Sequence, residues 1–169
     1  MKTLYFIRHA KSSWKHHVDD WKRPLKKRGV LDAIQVSKLL AKTCIKPQVI
    51  ISSDAVRACS TARYFKDAFA LKNDAFILNP QLYDFSGRQV LKLIKELKNT
   101  LDYVMLCGHN HAFTSIVNSL GSININNVPT CGFVAITFEV NKWSEITTGT
   151  TSSMIFPRDL NKYYDTKTN

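Results

Sequence analysis

Four short stretches of this 169-residue chain carry side chains suited to handling a phosphoryl group: Arg8-His9, Ser52-Ser53 followed by Arg57, Tyr83-Asp84, and Gly108-His109-Asn110-His111. An arginine guanidinium is a planar fork of donors that matches phosphate oxygens two at a time and stays protonated at every relevant pH. Two of them make a phosphoryl pocket. A neutral imidazole nitrogen is a nucleophile able to take a phosphoryl group, and a second imidazole held cationic beside it binds the charge that spreads over the equatorial oxygens. Backbone amides at helix starts near Arg57 and His109 add anion affinity.

Each of these stretches stands directly after a predicted parallel strand. Residues 3–7, 48–51, 76–78 and 103–107 read as short buried strands. Between and after them, apolar stripes predict helices from Pro24 to about residue 44, from Ala55 to Phe69, over 90–97, and over Phe113 to Leu120. Pro24 suits the first helical turn, and Ser52-Ser53-Asp54 offers capping side chains for the second helix. After Pro129 the pattern changes to strands at 133–140 and 144–147 around Asn141-Lys142, a predicted hairpin. The expected fold is an α/β three-layer sandwich, with helices on both faces of a mainly parallel sheet that ends in a late antiparallel strand or hairpin. Ligands of such sheets bind beyond the carboxyl ends of the strands, where the four stretches converge.

Lone histidines and arginines are ordinary surface residues, so the coincidence at four strand ends carries the inference. His109-Asn110-His111 offers an i, i+2 metal pair, but no third ligand has suitable spacing. His16 and His17 lie in a basic, aperiodic loop over residues 11–23 and read as solvent-exposed, while Trp14 and Trp21 either cover a helix end or line the mouth of the site.

Composition bounds the rest. With 44% hydrophobic and 22% charged residues, 6 Gly and 5 Pro, the chain is globular. Residues 1–160 read as one domain and 161–169 as a polar tail. Cys44, Cys59, Cys107 and Cys131 form no C-x-x-C pair and suit reduced thiols in a cytoplasmic protein. The apolar run ending before Arg8 is too short for a signal core or a membrane span. The net charge is +11, of which +9 falls in residues 1–48. Segregated charge of this kind marks a footprint for a polyanion, a phosphorylated ligand or an acidic protein face. A nucleic-acid module lacks support, because the chain has no aromatic-basic RNA-binding run.

Taken in order, LYFIRHAKSSW (residues 4–14), DWKRPLKKRG (20–29), SSDAVRACSTA (52–62) and CGHNH (107–111) resemble the histidine phosphatase superfamily, the phosphoglycerate-mutase-like proteins, and within it the compact SixA-type phosphohistidine phosphatases. The resemblance covers nearly the whole chain. It implies that His9 is the phosphorylated nucleophile, that Arg8 and Arg57 hold the phosphoryl group, and that His109 stabilises the transition state. Ser13 and Asn110 join Arg8 and Arg57 as substrate-binding candidates, and no cofactor or metal is implied.

Two departures stand out: Ala10 replaces a glycine common in relatives, and the short chain leaves little room for a lid insertion bearing a proton donor. Asp84 is the candidate acid, or else a corner whose carboxylate caps the helix containing Arg88. Phosphohistidine needs less general-acid help than an alkyl phosphate, so the expected substrate is a phosphohistidine-bearing protein, with a small phosphoester as the alternative and neither nucleic acid nor membrane as partner. Lys11, Lys15, Lys22, Arg23, Lys26, Lys27 and Arg28 are expected to form a basic collar at the mouth of the site.

Overall fold

The apolar run at the N-terminus becomes β1 (Lys2–Arg8), which is buried through Ile7 and lies inside the sheet because apolar side chains point to both faces. A computed structural model describes residues 1–15 and 17–160; His16 and the predicted tail 161–169 lie outside the described residues. Along the chain follow α1 (Lys27–Thr43), β2 (Val49–Ser52), α2 (Val56–Ala68), β3 (Phe76–Leu78), α3 (Arg88–Lys95), β4 (Tyr103–Gly108), α4 (Ala112–Leu120), β5 (Phe133–Phe138) and β6 (Thr150–Ile155). The sheet order is β3-β2-β4-β1-β5-β6. The β1–β4, β2–β4 and β2–β3 pairs are parallel, and β5 runs antiparallel to both β1 and β6.

Alternation along the strands builds two cores. Leu4, Phe6, Val104 and Leu106 face α3 and α4, where they meet Val90, Ile94, Phe113 and Val117. Tyr5, Ile7, Ile50 and Met105 face α1 and α2, where they meet Val36, Leu40, Ala58 and Phe65. The three-layer α/β sandwich expected from the sequence is therefore present, with one helix pair on each face.

Three local expectations are corrected. Pro24 is not in the first turn of α1: its carbonyl accepts from Ser13 N at 2.8 Å, Leu25 bridges to Ser12, and the helix begins at Lys27. Residues 11–23 contain a 3-10 turn (Asp20–Lys22) despite their lack of periodicity. The late strands do not form a two-residue hairpin. Trp143 is fully buried, its Nε1 donating to Leu101 O at 2.9 Å and its backbone N to Asn99 Oδ1 at 3.0 Å. That anchor makes 143–145 a 3-10 turn, and the last strand starts only at Thr150.

Candidate active site

Backbone pairing brings the predicted stretches together. Arg8 lies opposite Gly108 and Ser52 opposite Cys107. Just past the strands, His9 N donates to Gly108 O at 3.0 Å and Ser53 N to Cys107 O at 2.9 Å. Gly108 is required here, because a Cβ would come within 2.8 Å of the Phe113 ring. Thr61 on α2 accepts from Ala10 N at 2.9 Å and donates to Arg57 O at 2.7 Å, which ties the first turn of α2 to the end of β1.

These ties set four side chains around one point. Arg57 is 2% exposed, and its Nε donates to His9 Nε2 at 3.3 Å. His9 Nδ1 lies 2.8 Å from the Ala10 carbonyl, which can only accept. Nδ1 therefore carries the proton, and Nε2 presents its lone pair toward Arg57. The His9 and His109 rings are 5.2 Å apart. Arg8 Nη1 donates to Val128 O at 2.8 Å and to Asn127 Oδ1 at 3.4 Å. Among the described residues, Arg8 Nε and His109 Nδ1 are buried without a hydrogen-bond partner. Two buried donor or acceptor atoms left unsatisfied in one place point to a ligand that completes them.

Electrostatics favour an anion. Burial, reinforced by the charges of Arg57, Arg8 and Arg23 and only partly opposed by the Ala10 contact, pushes His9 down to about 3. Burial together with His9, Arg57 and Arg8 pushes His109 down to about 3, against the pull of Asp20. Both rings are neutral near pH 7 with the protein's own groups alone. That suits a nucleophile; it corrects the expectation that the second histidine is held cationic by the protein.

The other candidates divide. Asp84 is turned into backbone: Oδ1 accepts from Ser86 N and Oγ, and Oδ2 from Gln89 N and Val90 N at the start of α3. Burial alone would raise its pKa, but the Ser86 hydrogen bonds and the Val90 and Gln89 amides outweigh it and lower it. Of the two sequence readings, the structure shows the helix-capping one. Asn110 is likewise engaged, Oδ1 accepting from Thr114 N and Oγ1 while Nδ2 donates to Asn127. Ser13 Oγ accepts from Lys15 N within its own loop. His111 is exposed while His109 is buried, so the i, i+2 pair does not converge. Among the described residues, no group of three or more His, Cys, Asp or Glu could hold a metal ion.

Ser53 and Tyr83 take places at the site that the sequence did not assign them, and Phe85 and Asp20 were not singled out at all. Ser53 Oγ, expected as a helix cap, lies 2.9 Å from His109 Nε2, and α2 starts without a side-chain cap. Tyr83 and Phe85 pack on the His109 ring at 5.1 and 5.4 Å. Asp20 reaches the site from the 3-10 turn: its Oδ2 accepts from Arg57 Nη2 at 2.9 Å and from Tyr83 OH at 2.6 Å. The only sequence signal for it is its place in DWKRPLKKRG.

The cations expected in the collar are exposed with one exception. Lys11, Lys15, Lys22, Lys26, Lys27 and Arg28 are exposed, as are His17, Trp14, Trp21 and Phe85. Arg23, expected in the collar, is instead buried. It donates to Asp20 Oδ1 and Ser12 Oγ, both at 2.9 Å, under the Trp14 ring at 3.5 Å.

The family model described as "Histidine phosphatase superfamily (branch 1)" matches residues 4–86. An uncharacterized chloroplastic protein of Arabidopsis thaliana is 31% identical over 155 residues, covering 85% of this chain and 70% of that protein. Among solved structures, the protein histidine phosphatase SixA complexed with tungstate superposes with a TM-score of 0.75 at 17% identity, covering 94% of this chain and 99% of that one. A mycobacterial glucosyl-3-phosphoglycerate phosphatase complexed with VO3 gives a TM-score of 0.71 at 13% identity, covering 90% and 98%.

Proposed function

This chain belongs to the histidine phosphatase superfamily, and from that premise we propose that it is a phosphatase working through a phosphohistidine on its own His9, with phosphohistidine on a protein as its substrate. The observation that carries the proposal is the neutral His9 Nε2 beside a buried arginine, with Arg8 Nε and His109 Nδ1 unsatisfied next to it.

In the first step His9 Nε2 attacks phosphorus, the P–Nε2 bond forms, and the bond to the substrate nitrogen breaks with its electron pair going to the departing imidazole, which takes a proton from solvent. Arg8 and Arg57 offset the phosphoryl charge. Burial first, and the neighbouring positive charges second, keep His109 neutral; a dianion between the arginines cancels those charges and adds its own attraction for a charged ring, so His109 takes up a proton as the ligand enters and stabilises the transition state. In the second step water attacks phosphorus, P–Nε2 breaks, orthophosphate leaves, and the proton lost by water passes to solvent. The two arginines supply the positive charge that a metal would otherwise bring, so chelators are expected to leave the rate unchanged.

Two features support a protein substrate. Asp84, committed to capping α3, is not available as a strong acid, which suits a labile P–N bond better than an alkyl ester. Phe85, packed on the His109 ring, is also exposed, an aromatic at the site of the kind enriched where proteins bind one another. The small-phosphoester alternative has the fold likeness to a sugar-phosphate phosphatase behind it. Nucleic acid and membrane have no place in this reading; among the described residues no helix is long and apolar enough to cross a membrane. We take residues 1–160 as one catalytic domain on the strength of its single sheet. The four unpaired cysteines favour the cytoplasm.

The test compares kcat/KM on a phosphohistidine-bearing protein domain with that on a panel of small phosphate esters. A preference for the protein is expected; a preference for an ester would transfer the same mechanism to the alternative substrate.

A further inference from the structure

Asp20 closes the edge of Arg57 that a phosphoryl group needs. Guanidinium donors Nε and Nη2 lie side by side and together grip two oxygens of one anion. Here Nε points at His9 Nε2 at 3.3 Å, while Nη2 donates to Asp20 Oδ2 at 2.9 Å and Nη1 to the Asp20 carbonyl at 2.6 Å. The carboxylate is held there from two further directions, by Tyr83 OH on Oδ2 at 2.6 Å and by Arg23 Nε on Oδ1 at 2.9 Å. A phosphoryl group attached to His9 Nε2 would put its oxygens beside this carboxylate, and two anions would compete for one donor pair.

The two partners differ in their freedom to move. The Arg57 side chain is 2% exposed and the Asp20 side chain 41%. Arg57 is also fixed at the start of α2, whereas Asp20 rides on a three-residue turn between β1 and α1. The carboxylate can therefore swing into solvent and the guanidinium cannot.

We infer that Asp20 is a displaceable internal anion, which occupies the phosphate-gripping edge of Arg57 between turnovers and is expelled when a substrate phosphoryl group arrives. The inference rests on the reading of Arg57 as a phosphoryl ligand. Orthophosphate, the product, must displace Asp20 with its own contacts alone and so binds weakly. A phosphorylated protein displaces it with the additional help of contacts on the rim. Asp20 thereby becomes a specificity-determining residue that disfavours small phosphates and product retention.

A purely structural Asp20 makes the opposite prediction. If it only braced Arg57, its removal would loosen the guanidinium and weaken anion binding. If it competes, removal strengthens it. The experiment measures orthophosphate and vanadate binding by titration calorimetry, and as competitive inhibition, in the wild type, Asp20→Ala and Tyr83→Phe. Asp20→Ala is expected to bind orthophosphate about ten-fold more tightly, the loss of one competing charge-assisted hydrogen bond. Tyr83→Phe frees the carboxylate from one partner and is expected to show a smaller gain of about three-fold, which keeps the test decisive should Asp20→Ala not fold. Unchanged or weaker binding in the folded variants overturns the inference. So does a crystal of the wild-type orthophosphate complex in which Asp20 Oδ2 remains on Arg57 Nη2. Absence of orthophosphate and vanadate binding in all three proteins would take the phosphatase reading down with it, whereas equal binding in all three would remove Asp20's role alone.

Discussion

The loops after β1 and after β3 each bring one carboxylate to the same rim, and the two fare differently. Asp84 sits where a proton donor would be sought, yet its oxygens are consumed by Ser86 and by the amides that open α3. Asp20 comes from a turn with no periodic signal, yet it lies on Arg57. Burial pushes the Asp20 carboxyl upward, but the Tyr83 hydrogen bond and the Arg57 and Arg23 contacts outweigh it and bring it to about 2. Nearness to a strand end is therefore not what gives a carboxylate a role in chemistry; its partners are. Amide partners fix Asp84 as part of the scaffold, and partners with competing uses make Asp20 exchangeable.

The contrast can be broken by mutation. His9→Ala is expected to lower turnover on the order of 10⁴-fold or more, as loss of a covalent nucleophile does, and retained turnover would void the mechanism. His109→Ala should cost about 10² to 10³-fold in kcat, in line with loss of one transition-state charge partner. Ser53→Ala, which removes only the contact that orients His109, should cost less, and a larger loss than for His109→Ala would show that Ser53 acts on its own.

Protonation sharpens the contrast further. Both rings are depressed from 6.5 to about 3, so the unfolded chain binds two more protons than the native one between those values. Their contribution to stability is complete above about pH 6.5 and is lost as pH falls toward 3. Ring proton shifts of His9 and His109 should stay flat from pH 8 to about pH 5, and added vanadate should move His109 toward its protonated form. Titration of either ring near 6.5 in the native protein would contradict the buried, cationic setting of the site.

The smallest effect belongs to Asp84. Asp84→Asn, which keeps one acceptor oxygen and puts an amide donor in place of the other, should lower unfolding stability by about 1 kcal/mol and change kcat/KM by less than about three-fold. A collapse of kcat without loss of stability would restore Asp84 as the acid and erase the difference between the two loops.

Much of this was legible in the residues themselves. Buried strands announced themselves as short apolar runs, and the side chains just past β1, β2 and β4 fell together because parallel neighbours end at one edge. What escaped had no local signature. Trp143 delays the last strand through a tertiary anchor to Asn99 and Leu101 that no hairpin pattern encodes. Ser53 looks like a cap in sequence, but beside His109 it does other work. Arg23 reads as one more surface cation until Trp14 and Asp20 enclose it. Asp20 depends on a fold-back of residues 11–26, held by Ser13 N to Pro24 O and Lys26 N to Lys11 O at 2.8 Å each, which periodicity does not register.

The central claim is that His9 carries the phosphoryl group between substrate and water. Rapid acid-free quenching during turnover of a phosphohistidine protein, followed by peptide mass spectrometry, tests it most directly. One phosphoryl group on His9 that appears and decays at the turnover rate is the expected result. Steady turnover with His9 unmodified throughout, or with the phosphoryl group on another residue of this chain, would contradict it.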